Sequence, residues 1–399
     1  MSSKRVILVT GPPGNQRDEY IQQAIRGMND IGYYHVFDYM QQVARRFGIN
    51  LTRERVFDIP KNTLEKIRDT AIDVIVKEIM SSDKKIELIS TPARFKVRPI
   101  RDYYSGLVEG LKESHIAKLN PDMIILFIDD LLRVRRNLQE DSLWRKHVTP
   151  DLKTLAEWRQ SAQELIENYI TRIESQQIVQ KHIDYMIFAR EHPIKTFQDL
   201  IKGEKPRIYL SYNITGREKD KVMDKIARVR DKLSDYFVCI DPYAIKDWDI
   251  VTAYDEALEK GSNKVIVKID YSDGTLTEEI DASEVESSID LIRSQIVYRD
   301  FRIIDNVHAV FVYHWVETPS YGVMSEVIHA TTKASAPVYV VYPYKKRLSP
   351  FFEHYVGPAP GENIFYGDDE ERLIEMAINV MVNDYKNWPK YGLPSLRNS

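Results

Sequence analysis

Residues Pro319-Ser320-Tyr321-Gly322-Val323-Met324-Ser325-Glu326 bring a hydroxyl, a glycine and a carboxylate together at what reads as the start of a helix. A hydroxyl and open backbone N–H groups at a helix N-terminus suit a phosphate. Glu326 lies a turn further on, near the carboxyl ends of the strands, where open α/β sheets take their ligands. A Glu on a helix is ordinarily part of a solvated face, and only the Ser320–Gly322 turn sets this one apart. Asp300, in Arg299-Asp300, would by itself read as a helix cap. The histidines His308, His314 and His329 show no metal-ligand spacing with carboxylates and read as structural. Neither a metal nor a cofactor is expected.

A second stretch invites comparison with a phosphate cradle. A working P-loop reads G-x-x-x-x-G-K-[ST]: its glycines admit phosphate to the backbone, its Lys reaches the outer phosphates and its hydroxyl holds Mg²⁺. This chain has Gly11-Pro12-Pro13-Gly14-Asn15-Gln16-Arg17-Asp18. Gly11 is kept, Gln16 stands for the last Gly, Arg17 for Lys and Asp18 for the hydroxyl. Asp18 suits a helix dipole but would repel phosphate.

The elements that must position these residues alternate between strand and helix. Residues 5–10 form an apolar, β-branched run that breaks at the Gly-rich turn, and 18–28 read as a helix, which begins a βαβ unit. Apolar runs at 85–90, 123–128 and 185–188 alternate with helices at 63–80 and 151–177, the pattern of a parallel sheet covered on both faces. Gly, Pro and charge at 201–206 mark a linker. A second α/β pattern restarts with a strand at 207–211 and a helix at 218–233. It continues through strands at 236–240, 308–313 and 337–342 and a terminal helix at 370–382. Residues 264–280 alternate around Ser272-Asp273-Gly274, as an inserted hairpin does. The expected organisation is therefore two parallel-sheet, three-layer α/β domains, over residues 1–200 and 207–399.

With 399 residues, two or three domains are expected at about 150 residues each. A net charge of −4 from 56 Lys+Arg against 60 Asp+Glu lacks the basic excess of a nucleic-acid binder. The single cysteine, Cys239, excludes an intrachain disulfide and a cysteine-built zinc site. No apolar run is long enough to cross a bilayer. A cytoplasmic protein with neither a polynucleotide nor a membrane partner is expected.

The first half resembles the archaeal adenylate kinase family over roughly its first 190 residues. Phe37-Asp38-Tyr39-Met40 stands where that family contacts the monophosphate, Leu119-Asn120-Pro121-Asp122 precedes its fourth strand, and Arg133, Arg135, Arg136 and Arg145 fall in its lid. The resemblance implies a nucleoside-monophosphate-kinase fold, with Gly11, Gly14, Arg17, Arg136 and Arg145 as nucleotide contacts. Gln16, Arg17 and Asp18 weigh against phosphoryl transfer, and a fold kept as scaffold or binding module fits them better.

The second half resembles the nucleoside 2-deoxyribosyltransferase superfamily, and most closely its 2′-deoxynucleoside 5′-phosphate N-hydrolases. Pro319 to Ala330 matches the family's Pro-Ser-x-Gly-Val-x-x-Glu and following Ala. Residues Ile208-Tyr209-Leu210-Ser211-Tyr212-Asn213-Ile214-Thr215-Gly216-Arg217 echo its first strand and loop. Arg299-Asp300 and Arg347-Leu348-Ser349 match two further motifs. The resemblance implies a flavodoxin- or Rossmann-like domain that cleaves the base from a nucleoside 5′-monophosphate. Glu326 would be the nucleophile, Asp300 the acid or base-orienting group, and Tyr209 the residue that orients Glu326. Asn213, Gly216, Arg217, Ser320, Gly322 and Ser349 would hold sugar and phosphate. Relatives often complete such sites across a dimer, so a homodimer or higher homo-oligomer is expected, in which Ser349 could serve a neighbouring subunit. The transferases carry Asp where this chain has Ser320, and Tyr212 fills a position that is small in the family, where it would narrow the pocket. A deoxyribosyltransferase and a non-catalytic nucleotide sensor remain the alternatives.

Overall fold

The computed structural model describes residues 4–98, 100, 106–179, 181–214, 219–318, 320–357 and 362–389. In chain order the elements begin β1 (Arg5–Thr10), α1 (Arg17–Ala24), β2 (Ile31–His35), α2 (Val36–Arg46), α3 (Lys61–Ser81) and β3 (Ile86–Ser90). A small antiparallel pair follows, β4 (Arg94–Lys96) and β5 (Leu107–Glu109), then α4 (Glu113–Leu119) and β6 (Met123–Ile128). Helices α5 (Leu131–Glu140), α6 (Trp144–His147) and α7 (Leu152–Ser175) lead to β7 (Asp184–Ala189) and α8 (Ile194–Lys202). The chain continues with β8 (Arg207–Tyr212), α9 (Lys219–Ser234), β9 (Val238–Ile240), α10 (Trp248–Glu259), β10 (Lys264–Tyr271) and β11 (Gly274–Asp281). It ends with α11 (Ala282–Glu286), α12 (Ile289–Asp305), β12 (Ala309–Tyr313), α13 (Tyr321–Thr332), β13 (Val338–Tyr342), α14 (Pro350–Val356), β14 (Ile364–Tyr366) and α15 (Glu370–Asp384).

These elements form two compact units, and neither is continuous in sequence. The first takes 1–191 with 245–296, the second 192–244 with 297–399. The division therefore departs from the one expected at 201–206: α8 belongs with the second unit and the 245–296 excursion with the first. The reason is packing. Val265, Val267 and Ile269 of β10 are buried while Lys264, Ile266 and Lys268 between them are exposed, so this hairpin needs a core to cover one face and takes that of the first unit.

The first unit's sheet runs in the order β2-β3-β1-β6-β7, with every pair parallel. That is the strand order of the P-loop kinase fold, with the Gly-rich loop leaving its central strand. Its central strands are apolar runs because helices cover both faces: all six residues of β6 are buried. The second unit's sheet runs β14-β13-β12-β8-β9, again all parallel. This is the flavodoxin-like order, with the switch in connection direction between β8 and β12. Ile208, Leu210 and Tyr212 of β8 join the core with α9 and α15, among them Val229, Leu233, Ile374 and Met381. The period-2 alternation sends Tyr209 and Ser211 to the opposite face. Among the described residues no helix is long and apolar enough to cross a membrane.

A candidate active site beside β8

The second unit brings two of the anticipated residues, Tyr209 and Glu326, together. Tyr209 and Ser211 are two apart on β8, so both side chains leave the same face. That face meets α13, whose Glu326 accepts a hydrogen bond from Tyr209 Oη at 2.7 Å and another from Ser211 Oγ. Tyr209 and Ser211 are fully buried, whereas Glu326 is only partly covered. One carboxylate oxygen is thus fixed by a phenol and the other by a serine. Ser211 was not anticipated, although its spacing from Tyr209 along a strand was a readable signal.

Burial pushes the Glu326 carboxyl up to about 8, and the charge of Asp300 adds to the rise. The hydroxyls of Ser211 and Tyr209 and the charge of Arg299 oppose it without cancelling it. Burial also raises Asp300, against the pull of Arg299, whose Nε donates to Asp300 Oδ1 at 3.0 Å. Arg299 is itself buried and its Nη2 donates to the Pro242 carbonyl at 3.3 Å, so the guanidinium is clamped in place. Asp300 is not a helix cap: it lies within α12, in the part that belongs to the second unit. Both carboxyl groups are therefore raised by burial, and the charge of Asp300 raises Glu326 further.

The residues expected to hold sugar and phosphate are placed less uniformly. Ser320 is the N-cap of α13, and its Oγ accepts from the Val323 N–H at 3.4 Å. Gly322 sits in open space, where an added Cβ would meet nothing closer than Ser320 Oγ at 4.0 Å. Packing does not require glycine there. The Asn213 carbonyl accepts from Trp315 Nε1 at 3.2 Å. Gly216 and Arg217 lie outside the described residues. Ser349 is an exposed N-cap on α14, accepting from the Phe352 N–H at 3.4 Å, and it stays outside the Glu326 network among the described residues. Tyr212 does not narrow the pocket: it is buried in the core on the other face and its hydroxyl donates to Asp241 at 2.6 Å. Asp241, just past β9, also takes the Tyr243 N–H at 3.0 Å and raises Asp300 through its charge.

In the first unit the Gly-rich loop has turned its polar groups inward. Arg17 is buried, with Nε donating to Ser90 Oγ at 2.7 Å and Nη2 3.1 Å from Asp18. Burial alone would raise Asp18, but Arg17, His35, Ser90 and Tyr33 together hold it down to about 2. Ser90 is shared between Arg17 and Asp18. Arg17, expected as a nucleotide contact, is thus bonded to protein groups. Gly11 lies so close to the Phe127 carbonyl that a Cβ would collide with it, and the Gly14 carbonyl accepts from Asn137 Nδ2 at 2.7 Å. Protein packing accounts for both. Gln16 takes the left-handed conformation, at φ 50°, without a glycine. The lid arginines are engaged by carboxylates: Arg133 by Glu191 at 2.8 Å, Arg135 by Glu284 at 3.0 Å and Arg136 by Glu140 at 3.0 Å. Arg145 is exposed on α6.

No protein-family model matches the chain, and no curated protein matches it. Among solved structures, shikimate kinase from Bacteroides thetaiotaomicron is similar at 12% identity and a TM-score of 0.27, over 50% of this chain and 98% of that one. Shikimate kinase from Acinetobacter baumannii, in complex with shikimate, is similar at 12% identity and a TM-score of 0.26, over 51% and 91%. At these TM-scores the likeness carries no argument, and the fold class rests on the strand orders themselves.

Proposed function

We propose that the second unit is an N-glycosidase that cleaves the base–sugar bond of a nucleoside 5′-monophosphate. The observation that carries this reading is the Glu326 carboxylate, held by Tyr209 and Ser211 at the strand switch with Asp300 beside it electrostatically. Breaking an N-glycosidic bond builds oxocarbenium character at C1′, and a fixed carboxylate attacks or stabilises that carbon. The base leaves with its electron pair and needs a proton, which Asp300, raised by burial, can donate. The water that resolves the glycosyl ester delivers its hydroxyl to C1′ and returns a proton to the same group. Ser320, capping α13, and the open Gly322 support a phosphate at the sugar's 5′ end. Ser349, exposed on α14, is free to serve a second subunit.

Incubation with ribo- and deoxyribonucleoside monophosphates and the matching nucleosides tests the reading through the free base and sugar phosphate released. Monophosphates should be the better substrates, and Ser320→Asp should reverse the preference, because a carboxylate repels phosphate and accepts a hydroxyl proton. A wild type that prefers nucleosides and passes the sugar to a second base would favour a deoxyribosyltransferase. Release of no base from any substrate would favour a nucleotide-sensing module.

A further inference from the structure

The β10–β11 hairpin does more in the first unit than bury an apolar face. Its tip closes over a cavity of about 280 Å³ that Gln16 of the Gly-rich loop and Arg133, Arg136 and Arg190 also line. The two Asp273 oxygens face different arginines: Oδ1 is 3.7 Å from Arg133 Nη2 and Oδ2 is 3.6 Å from Arg190 Nη2. Arg133 lies flat on the Tyr271 ring, 3.6 Å from its centre, and the Ser272 N–H donates to Glu191 Oε1 at 2.6 Å. Stacking and one backbone hydrogen bond thus hold a carboxylate across a pair of guanidinium groups, the geometry in which arginines receive a phosphate.

We propose that the hairpin is a built-in ligand: Asp273 occupies an anion site formed by Arg133 and Arg190, and a polyphosphate-bearing small molecule enters that site only by displacing it. Charge balance requires exchange rather than addition. Arg133 and Arg190 already share the buried Asp129, and Arg133 also pairs with Glu191, so a further anion beside Asp273 would meet an excess of negative charge. Asp273 is the member of this set that can leave at little cost. It is mostly exposed and its two ion pairs are long, whereas Asp129 is fully buried. With the hairpin in place the cavity is small for a whole nucleotide, so the tip must move for one to bind.

Calorimetric titration of the full chain with pyrophosphate and with ADP tests this. Asp273→Asn removes the charge at an exposed position, so folding should persist, while Asp273→Glu keeps the charge as a control. Affinity should rise roughly tenfold or more in Asp273→Asn, should stay near the wild-type value in Asp273→Glu, and the gain should shrink as salt is raised. Tighter binding of ADP than of pyrophosphate would assign a nucleotide, and equal binding a bare polyphosphate. In the wild type, saturating pyrophosphate should speed hydrogen exchange at the Ser272 amide as it loses Glu191. Equal affinities for wild type and Asp273→Asn, or no binding by either, would overturn the proposal.

Discussion

In the proposed reaction Glu326 acts through its proton. With its carboxyl raised to about 8 by burial and Asp300, the unliganded protein holds it mostly protonated at neutral pH, yet attack on C1′ needs the ionised form. The pH profile of kcat/KM for base release should therefore rise towards a midpoint near 8, since that parameter reports the free enzyme. Ser211→Ala removes a hydrogen bond that favours the charged form. Its midpoint should move upward, with about a tenfold loss at pH 7 per unit of movement and recovery in alkali. An unmoved midpoint would detach Ser211 from the reaction. Stability follows the same proton. The folded pKa lies above the ordinary value of 4.5, so this contribution is fully present below that value and is lost as pH rises through about 8. Glu326→Gln should flatten the fall, raising the melting temperature more at pH 8.5 than at pH 5. Asp300→Asn should cost least with a base that leaves easily, because its proposed task is to protonate the leaving group.

Two helix starts carry the functional argument at the level of elements, and they differ in what their backbones tolerate. At the start of α13, Gly322 meets no neighbour, and glycine is a poor helix former. Gly322→Ala should leave stability unchanged or raised by up to about 1 kcal/mol, yet weaken 5′-monophosphate use by crowding the phosphate end. Stability and KM measured on one preparation separate the two effects. At the start of α1, Gln16 holds a left-handed conformation that costs a side-chain residue about 1 kcal/mol, so Gln16→Gly should not destabilise. Legibility in the sequence varied element by element. Strands β1 and β6 are apolar runs ended by turn residues, and their limits at 5–10 and 123–128 could be read directly. Strand β2 hides because Gly32 and His35 interrupt its apolar character, and β14 is only three residues long. Glu326 and Tyr209 were legible from their motifs. Asp300 by itself reads as a helix cap, because a helix whose polar residues face a site shows little amphipathic pattern.

Across the whole molecule, local periodicity gives many of the elements without revealing which core each one joins. Residues 245–296 follow a strand of the second unit yet pack with the first, a choice made by buried faces distant in sequence. The first unit has the strand order of a P-loop kinase, while Arg17 and Ser90 both bond to Asp18. ATP-dependent phosphorylation of monophosphates should accordingly be absent, and robust diphosphate formation that Arg17→Ala abolishes would refute this. The central claim is that Glu326 is the reacting group of a nucleotide N-glycosidase, and free base released in a single turnover by Glu326→Gln measures it most directly. The amide keeps size and hydrogen-bonding reach and discards the charge, so the variant should fold and bind substrate while release falls by several powers of ten. Release near the wild-type rate would make Glu326 a helix residue and nothing more.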